Sequence, residues 1–266
     1  MKTPHLHPII VRLLLASMLL GVNVHAALFT YNFESLTNGT LAGQDNWVFN
    51  SGDAPYIVST GTGADTTKVV GTAGSTSSNF ATRINDGNFS FGSLVGATSV
   101  ILGFDTRYVA GGNGGINNQS HFALDSSSGL TGSVRFGLQA NGFIVRNTTT
   151  GLPTGVDFDD WISLRLEMDM LANGGDGSGS LYYKNLTDGD PGFTAVSGLQ
   201  NLNLGYLAQD PSQWFRMVLR TGFYEGNKID NLYIDTTPVP EPGTALFGVA
   251  CVGVAALRRR RLSNTK

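Results

Sequence analysis

The chain has 266 residues, 41% hydrophobic and only 14% charged, with 35 glycines, one cysteine and a formal net charge of −3. That charge hides an asymmetry: between Ala27 and Pro240 there are 10 Lys and Arg against 19 Asp and Glu, a net of −9, and the two ends carry the other seven cations. So acidic a body excludes nucleic acid as a partner, because phosphate recognition needs clustered cations; with Cys251 near the C-terminus, it also excludes disulfides, thiolate metal sites and cysteine nucleophiles.

At the N-terminus, Lys2 and Arg12 precede an apolar run from Leu13 to Val22, and Val24-His25-Ala26 supplies small residues three apart. This layout predicts a secretory signal peptide over residues 1–26, cut after Ala26 with Ala27 as the alternative site, and handled by the Sec translocon. The apolar run is well short of the ~20 residues that a bilayer span requires, so the segment reads as a leader rather than an anchor. His5, His7 and His25 leave with it. His121 is then the single histidine of the mature body, too few for a catalytic zinc site, and no motif supports a Ser-His-Asp relay around it.

Residues 27–236 suffice for one all-β domain with its own core. No 3.6-residue periodicity persists there; short alternating runs separated by Gly, Asn, Asp and Ser clusters predict sequential strands of a sandwich. Strands are expected at 29–33, 56–59, 68–71, 80–83, 98–108, 121–125, 134–138, 142–147, 161–170, 179–185, 213–220 and 228–235. The glycine-rich stretch Gly111 to Gly115, running into Asn117 and Asn118, is expected as an exposed loop.

Trp161 to Met170 has the clearest alternation. Ile162, Leu164, Leu166, Met168 and Met170 fall on one face and belong in the core, while Trp161, Ser163, Arg165, Glu167 and Asp169 form a solvated face. Asn173-Gly174-Gly175-Asp176-Gly177 then turns the chain into a return strand carrying Tyr182 and Tyr183. Hard oxygen ligands on loops are what calcium requires, so Asp169, Asn173, Asp176 and Asp188 are the candidate calcium ligands, with Asp157, Asp159 and Asp160 as a second acidic group. Tyr182 and Tyr183 are the candidate sugar-stacking rings, although aromatic side chains in sandwiches are mostly core.

Several of these runs together resemble the concanavalin A-like or laminin-G-like jelly rolls: the opening Phe29-Thr30-Tyr31-Asn32-Phe33-Glu34, the Gly43-Gln44-Asp45-Asn46-Trp47 run, the central Trp161 strand and the closing Ile229-Asp230-Asn231-Leu232-Tyr233-Ile234-Asp235. The resemblance implies an antiparallel jelly-roll sandwich in which the closing strand pairs with the opening one. An acidic exported body fits carbohydrate or calcium as its ligand better than nucleic acid. Jelly-roll endoglucanases of this type carry E-x-D-x-E or E-x-D-x-x-E on one strand, whereas this chain has Glu167-Met168-Asp169-Met170-Leu171-Ala172, with apolar residues where the second glutamate belongs. The reading is therefore a non-catalytic module, with glycoside hydrolase or lyase activity, or a purely structural envelope role, as the alternatives.

Past residue 236 the composition changes. Val239-Pro240-Glu241-Pro242 leads into a near-continuous apolar stretch, Thr244 to Leu257, and then into Arg258-Arg259-Arg260-Arg261. Fourteen helical residues span only about 21 Å against the ~30 Å hydrocarbon core, but the arginines can snorkel outward, and the positive-inside bias holds them in the cytoplasm. The tail over 237–266 resembles the PEP-CTERM sorting signal of exported bacterial proteins, a segment also labelled an ice-binding protein C-terminal domain. What the resemblance implies is a single membrane helix at 244–257, transient anchoring in the inner membrane, recognition by an exosortase-type protease, and release to the cell surface or exopolysaccharide matrix.

Overall fold

The computed structural model describes residues 27–49, 56–61, 68–72, 81–84, 91–109, 119–126, 133–205, 214–221 and 227–236. The leader, the Gly111 to Asn118 loop and the sorting tail lie outside the described residues. Among the described residues no helix is long and apolar enough to cross a membrane.

In chain order the strands are β1 (Phe29–Tyr31), β2 (Gly39–Thr40), β3 (Trp47–Phe49), β4 (Tyr56–Thr60), β5 (Lys68–Thr72), β6 (Ala81–Ile84), β7 (Ser99–Arg107), β8 (Gln119–Ser126) and β9 (Ser133–Gln139). They continue with β10 (Gly142–Val145), β11 (Thr148–Thr150), β12 (Trp161–Asp169), β13 (Ser178–Asn185), β14 (Thr194–Ala195), β15 (Leu202–Asn203), β16 (Trp214–Thr221) and β17 (Lys228–Asp235). One sheet runs β14-β13-β12-β7-β17-β5-β4-β2, with β1 added to β17 and β15 to β13; the other runs β11-β10-β9-β8-β16-β6-β3. Every strand expected from the sequence is present within a few residues of its expected bounds. The pairs are antiparallel throughout, as hairpin and Greek-key connections require.

Alternation decides what faces the core. Ile162, Leu164, Leu166 and Met168 of β12 are fully buried against the other sheet, where Phe122 of β8 and Phe136 of β9 meet Phe104 of β7 edge-on at 6.1 and 5.2 Å. Edge-to-face geometry brings the positive ring edge onto the negative face of its neighbour, which adds to the burial of these rings. The opening and closing strands do pair, Phe29 with Ile234 and Tyr31 with Leu232, so the two ends of the domain are joined in one sheet. β1 is shorter than the sequence implies, however. It stops at Tyr31, and Phe33 adopts φ 59° so that its carbonyl can accept the Leu36 N–H at 3.0 Å, turning the chain and folding its buried ring toward Trp47.

The β12–β13 hairpin closes as its turn residues dictate. Asn173, Gly174, Gly175 and Gly177 take φ of 55°, 72°, 99° and 74°, a left-handed run that only Gly and Asn tolerate easily. Asp169 Oδ1 accepts the N–H groups of Leu171 and Ala172 at 2.9 and 3.2 Å, and Asn173 Nδ2 donates to the Gly177 carbonyl at 3.0 Å.

Candidate functional site

Strand register sets six residues in one row across the outward face of the ten-stranded sheet. Thr30 of β1 stands beside Tyr233 of β17, Tyr233 beside Gly103 of β7, Gly103 beside Arg165 of β12, Arg165 beside Tyr182 of β13, and Tyr182 beside Ala195 of β14. At ~4.8 Å per strand the row spans roughly 24 Å, transverse to the strands.

Arg165 is the centre of this row. The guanidinium carbon lies 5.1 Å from the Tyr182 ring centroid and 4.2 Å from that of Phe193, and Nε is 3.0 Å from Glu167 Oε1. Two ring faces and one carboxylate therefore stabilise a cation that is only 7% exposed. The face expected to be simply solvated is in part a packed layer: Ser163 and Arg165 are buried, and Glu167 is half-buried. Tyr182 and Tyr183 separate, as neighbours on a strand must. Tyr182 takes the outward row, while Tyr183 turns inward against Phe143 at 5.4 Å, which removes it from the candidate sugar contacts.

Gly103 is the gap in the row, and Tyr233 fills it. A Cβ at Gly103 would collide with the Tyr233 ring at Cε1, Cζ and Oη. Desolvation by this packing raises the phenol's pKa far above its usual value; Arg165 lowers it, and Asp105, Glu167 and Asp235 raise it further. Burial also raises that of Tyr182. A phenol whose folded pKa exceeds its unfolded value contributes stability that is fully present below the unfolded pKa, ~10, and is lost as pH climbs toward the folded one. Stability is accordingly expected to fall from about pH 10 upward, and Tyr233→Phe to flatten that fall; denaturant midpoints of both proteins across the alkaline range check it, and parallel curves would contradict it.

Next to Tyr233 the sheet forks. One edge of β17 pairs with β5 at Lys228 and Ile229 and with β1 from Leu232 to Ile234, so the two partner strands diverge at Asp230 and Asn231. Asn231 takes φ 48° there; its N–H meets Asp230 Oδ1 at 2.8 Å and its Nδ2 donates to Asp105 Oδ2 at 2.7 Å. A cavity of about 330 Å³ opens at the fork, walled by Tyr31, Leu232 and Tyr233, by the polar side chains of Thr30, Asn32 and Asn231, and by Ala27. Rings and apolar walls beside Thr30, Asn32 and Asn231 make a recognition surface, and among the described lining residues there is no carboxylate, imidazole or thiol.

The candidate calcium ligands do not form one set. Asp169, Asn173 and Asp176 sit at the turn before β13, whereas Asp188 follows its far end, eight strand residues and roughly 25 Å away. Sequence proximity concealed the length of the intervening strand. Asp188 instead joins Asp160 around buried Asn185, whose Nδ2 donates to Asp160 at 2.8 Å and Asp188 at 3.0 Å while its N–H donates to Asp190 at 2.9 Å. These bonds close the end of the β12–β13 pair. Among the described residues no three His, Cys, Asp or Glu are placed to hold a metal ion.

Sequence reasoning missed Gly103, Phe193 and the role of Tyr233. Gly103 carried a usable signal: a glycine inside a nine-residue apolar strand marks close approach by another group. The seven-stranded sheet holds a second buried polar set on its outward face. Asp125 is fully buried and receives Nε of Arg216 at 2.8 Å as well as its NH2 group; His121 is 3% exposed; and Arg135, its pKa lowered by burial, donates to the Arg146 carbonyl at 2.9 Å.

Together the two antiparallel sheets, the joined first and last strands and the transverse row define an all-β jelly-roll sandwich. Its fold is similar to that of the T. cruzi calreticulin globular domain, with a TM-score of 0.50 at 12% identity over 89% of this chain and 99% of that one. Lectin II from Ulex europaeus gives 0.46 at 10% identity over 79% and 99%, and a lectin from Bauhinia forficata in complex with GalNAc 0.44 at 11% over 80% and 99%. At such identities the likeness is one of fold. No protein-family model matches the chain, and neither does any curated protein.

Proposed function

We propose that this chain is an exported, non-catalytic glycan-binding protein, displayed at the cell surface or in an exopolysaccharide matrix after transient anchoring by its tail. The observation that carries the binding half is the Thr30–Tyr233–Gly103–Arg165–Tyr182 row ending at the fork cavity. Sugar rings present an apolar C–H face to aromatic side chains and hydroxyls to amides and carboxylates, and this row offers both along a line long enough for several residues of a polysaccharide. Glu167 is engaged by Arg165 and Asp169 caps the hairpin turn, so neither stands as one of a pair of free carboxylates. Export rests on the leader over 1–26, and sorting on Val239 to Pro242 with Arg258 to Arg261.

The test is titration of the exported protein against an array of polysaccharides and oligosaccharides. Tyr233→Ala and Tyr182→Ala are each expected to weaken the best ligand about tenfold or more, the loss of one stacked ring and its hydrogen bonds. Retention of a glycan at undiminished affinity by both variants would move the site elsewhere.

A further inference from the structure

We infer that the turn between β10 and β11 is a second binding site, in which Arg135 and Arg146 hold the carboxylate of a uronate residue in an acidic polysaccharide. Charge is divided unequally between the two sheets. Arg83, Arg135, Arg146, Arg216 and Arg220, half of the ten cations between Ala27 and Pro240, belong to the seven-stranded sheet and its β10–β11 turn, whereas Asp125 is the one acid in its strands. Asp125 is engaged by Arg216. Arg135 and Arg146 form no ion pair among the described residues: Arg135 gives Nε to the Arg146 carbonyl at 2.9 Å and an NH2 group to Asn147 Oδ1 at 2.8 Å, both neutral acceptors.

Both cations are held in place. The Arg146 N–H returns to the Arg135 carbonyl at 2.8 Å, so backbone and guanidinium of Arg135 together clamp the turn. The Arg146 guanidinium lies over Gly205, where a Cβ would come within 2.8 Å of Nη1. Burial lowers the pKa of Arg135, whose cation has given up water without gaining a carboxylate. A carboxylate bound there replaces that hydration with charge-assisted bonds, in the planar geometry that a guanidinium matches. The backbone points the same way. Arg146 adopts φ 56°, and the other described non-glycine residues with positive φ are Asp or Asn, apart from Phe33, whose ring is core. This conformation is unfavourable for a residue with a Cβ, and Gly or Asn is its usual occupant in a two-residue hairpin turn. A long cation kept there indicates a use for it at the turn. Around it Asn147, Thr148 and Thr149 are exposed, and β11 is the edge strand of the sheet, so amide and hydroxyl groups stand open beside the two guanidiniums. An open edge of this kind suits one charged group on a long hydroxylated chain rather than an enclosed free ion.

The experiment titrates the exported protein calorimetrically with oligogalacturonate, with the same oligomers methyl-esterified at C6, with polyglutamate and with inorganic sulfate, at low and high salt. Oligogalacturonate is expected to bind at least about tenfold tighter than its ester and than either other anion, its affinity falling as salt rises. Arg146→Gly is expected to keep its denaturant midpoint, since glycine accepts this φ, yet to lose about tenfold in oligogalacturonate affinity. Arg135→Lys, which keeps the charge and loses the fork, should fall between. Tyr233→Ala should leave this affinity unchanged, because its ring belongs to the other sheet. Equal binding of acid and ester, or unaltered affinity in Arg146→Gly, overturns the inference and leaves the glycan site on the ten-stranded sheet untouched. A loss of oligogalacturonate in Tyr233→Ala overturns it by placing the uronate on that sheet. Polyglutamate or sulfate bound as tightly as oligogalacturonate overturns the polysaccharide assignment.

Discussion

Replacing Arg216 with leucine is expected to cost about 3–5 kcal/mol of folding stability, the scale for breaking a buried ion pair from one side. Asp125 is fully buried although it points outward from β8, and its Oδ2 takes two N–H groups of the Arg216 guanidinium; among the described residues its Oδ1 has no hydrogen-bond partner. Without the arginine the carboxylate remains desolvated and loses both N–H groups that the guanidinium gives it. In a domain of this size the melting temperature should drop by roughly 8–15 °C, and the denaturant midpoint should fall at constant slope. Arg216→Lys keeps the charge but loses the fork that engages one oxygen twice, so it should sit between the two. The double variant Asp125→Leu/Arg216→Leu should regain much of the loss, since it removes the stranded charge together with its partner. If Arg216→Leu changes stability by no more than about 0.5 kcal/mol, the pair is ordinary surface electrostatics.

The contrast between what the sequence disclosed and what it concealed follows from the range of each interaction. β12 was legible because a nine-residue alternation has one physical solution, and the opening and closing runs because their patterns matched a known pairing. β2, β14 and β15 hold two residues each, too few for any period to register. The Asp125–Arg216 pair joins positions 91 apart, and only the fold makes them neighbours. Tyr182 and Tyr183 were indistinguishable until the register put Arg165 beside one of them. The acidic residues from Asp169 to Asp188 failed differently: they are close along the chain and far apart in space, because an extended strand covers ~3.3 Å per residue.

Gly103→Val is expected to remove glycan binding while leaving the fold in place. The glycine sits at the centre of β7, where β-branched residues are favoured by conformation, so the backbone itself offers no objection to valine. The Tyr233 ring does: it occupies the space that a side chain at 103 would take. Forced off the sheet, the ring would leave the cavity without one wall and the row without its link between Thr30 and Arg165. Overpacking of this kind costs about 1–3 kcal/mol, which a domain with so extensive a core should survive, whereas affinity should fall tenfold or more. Gly103→Ala should shift both in the same direction by less. Because the cost arises from one contact, Tyr233→Ala should relieve most of the destabilisation in the Gly103→Val background, although on its own it loses buried area; a double-mutant cycle should show that coupling. The valine variant should also ionise its tyrosines at lower pH, since Tyr233 regains water. Unchanged glycan affinity together with an unchanged alkaline titration would mean that Tyr233 and Gly103 are packing partners and nothing more.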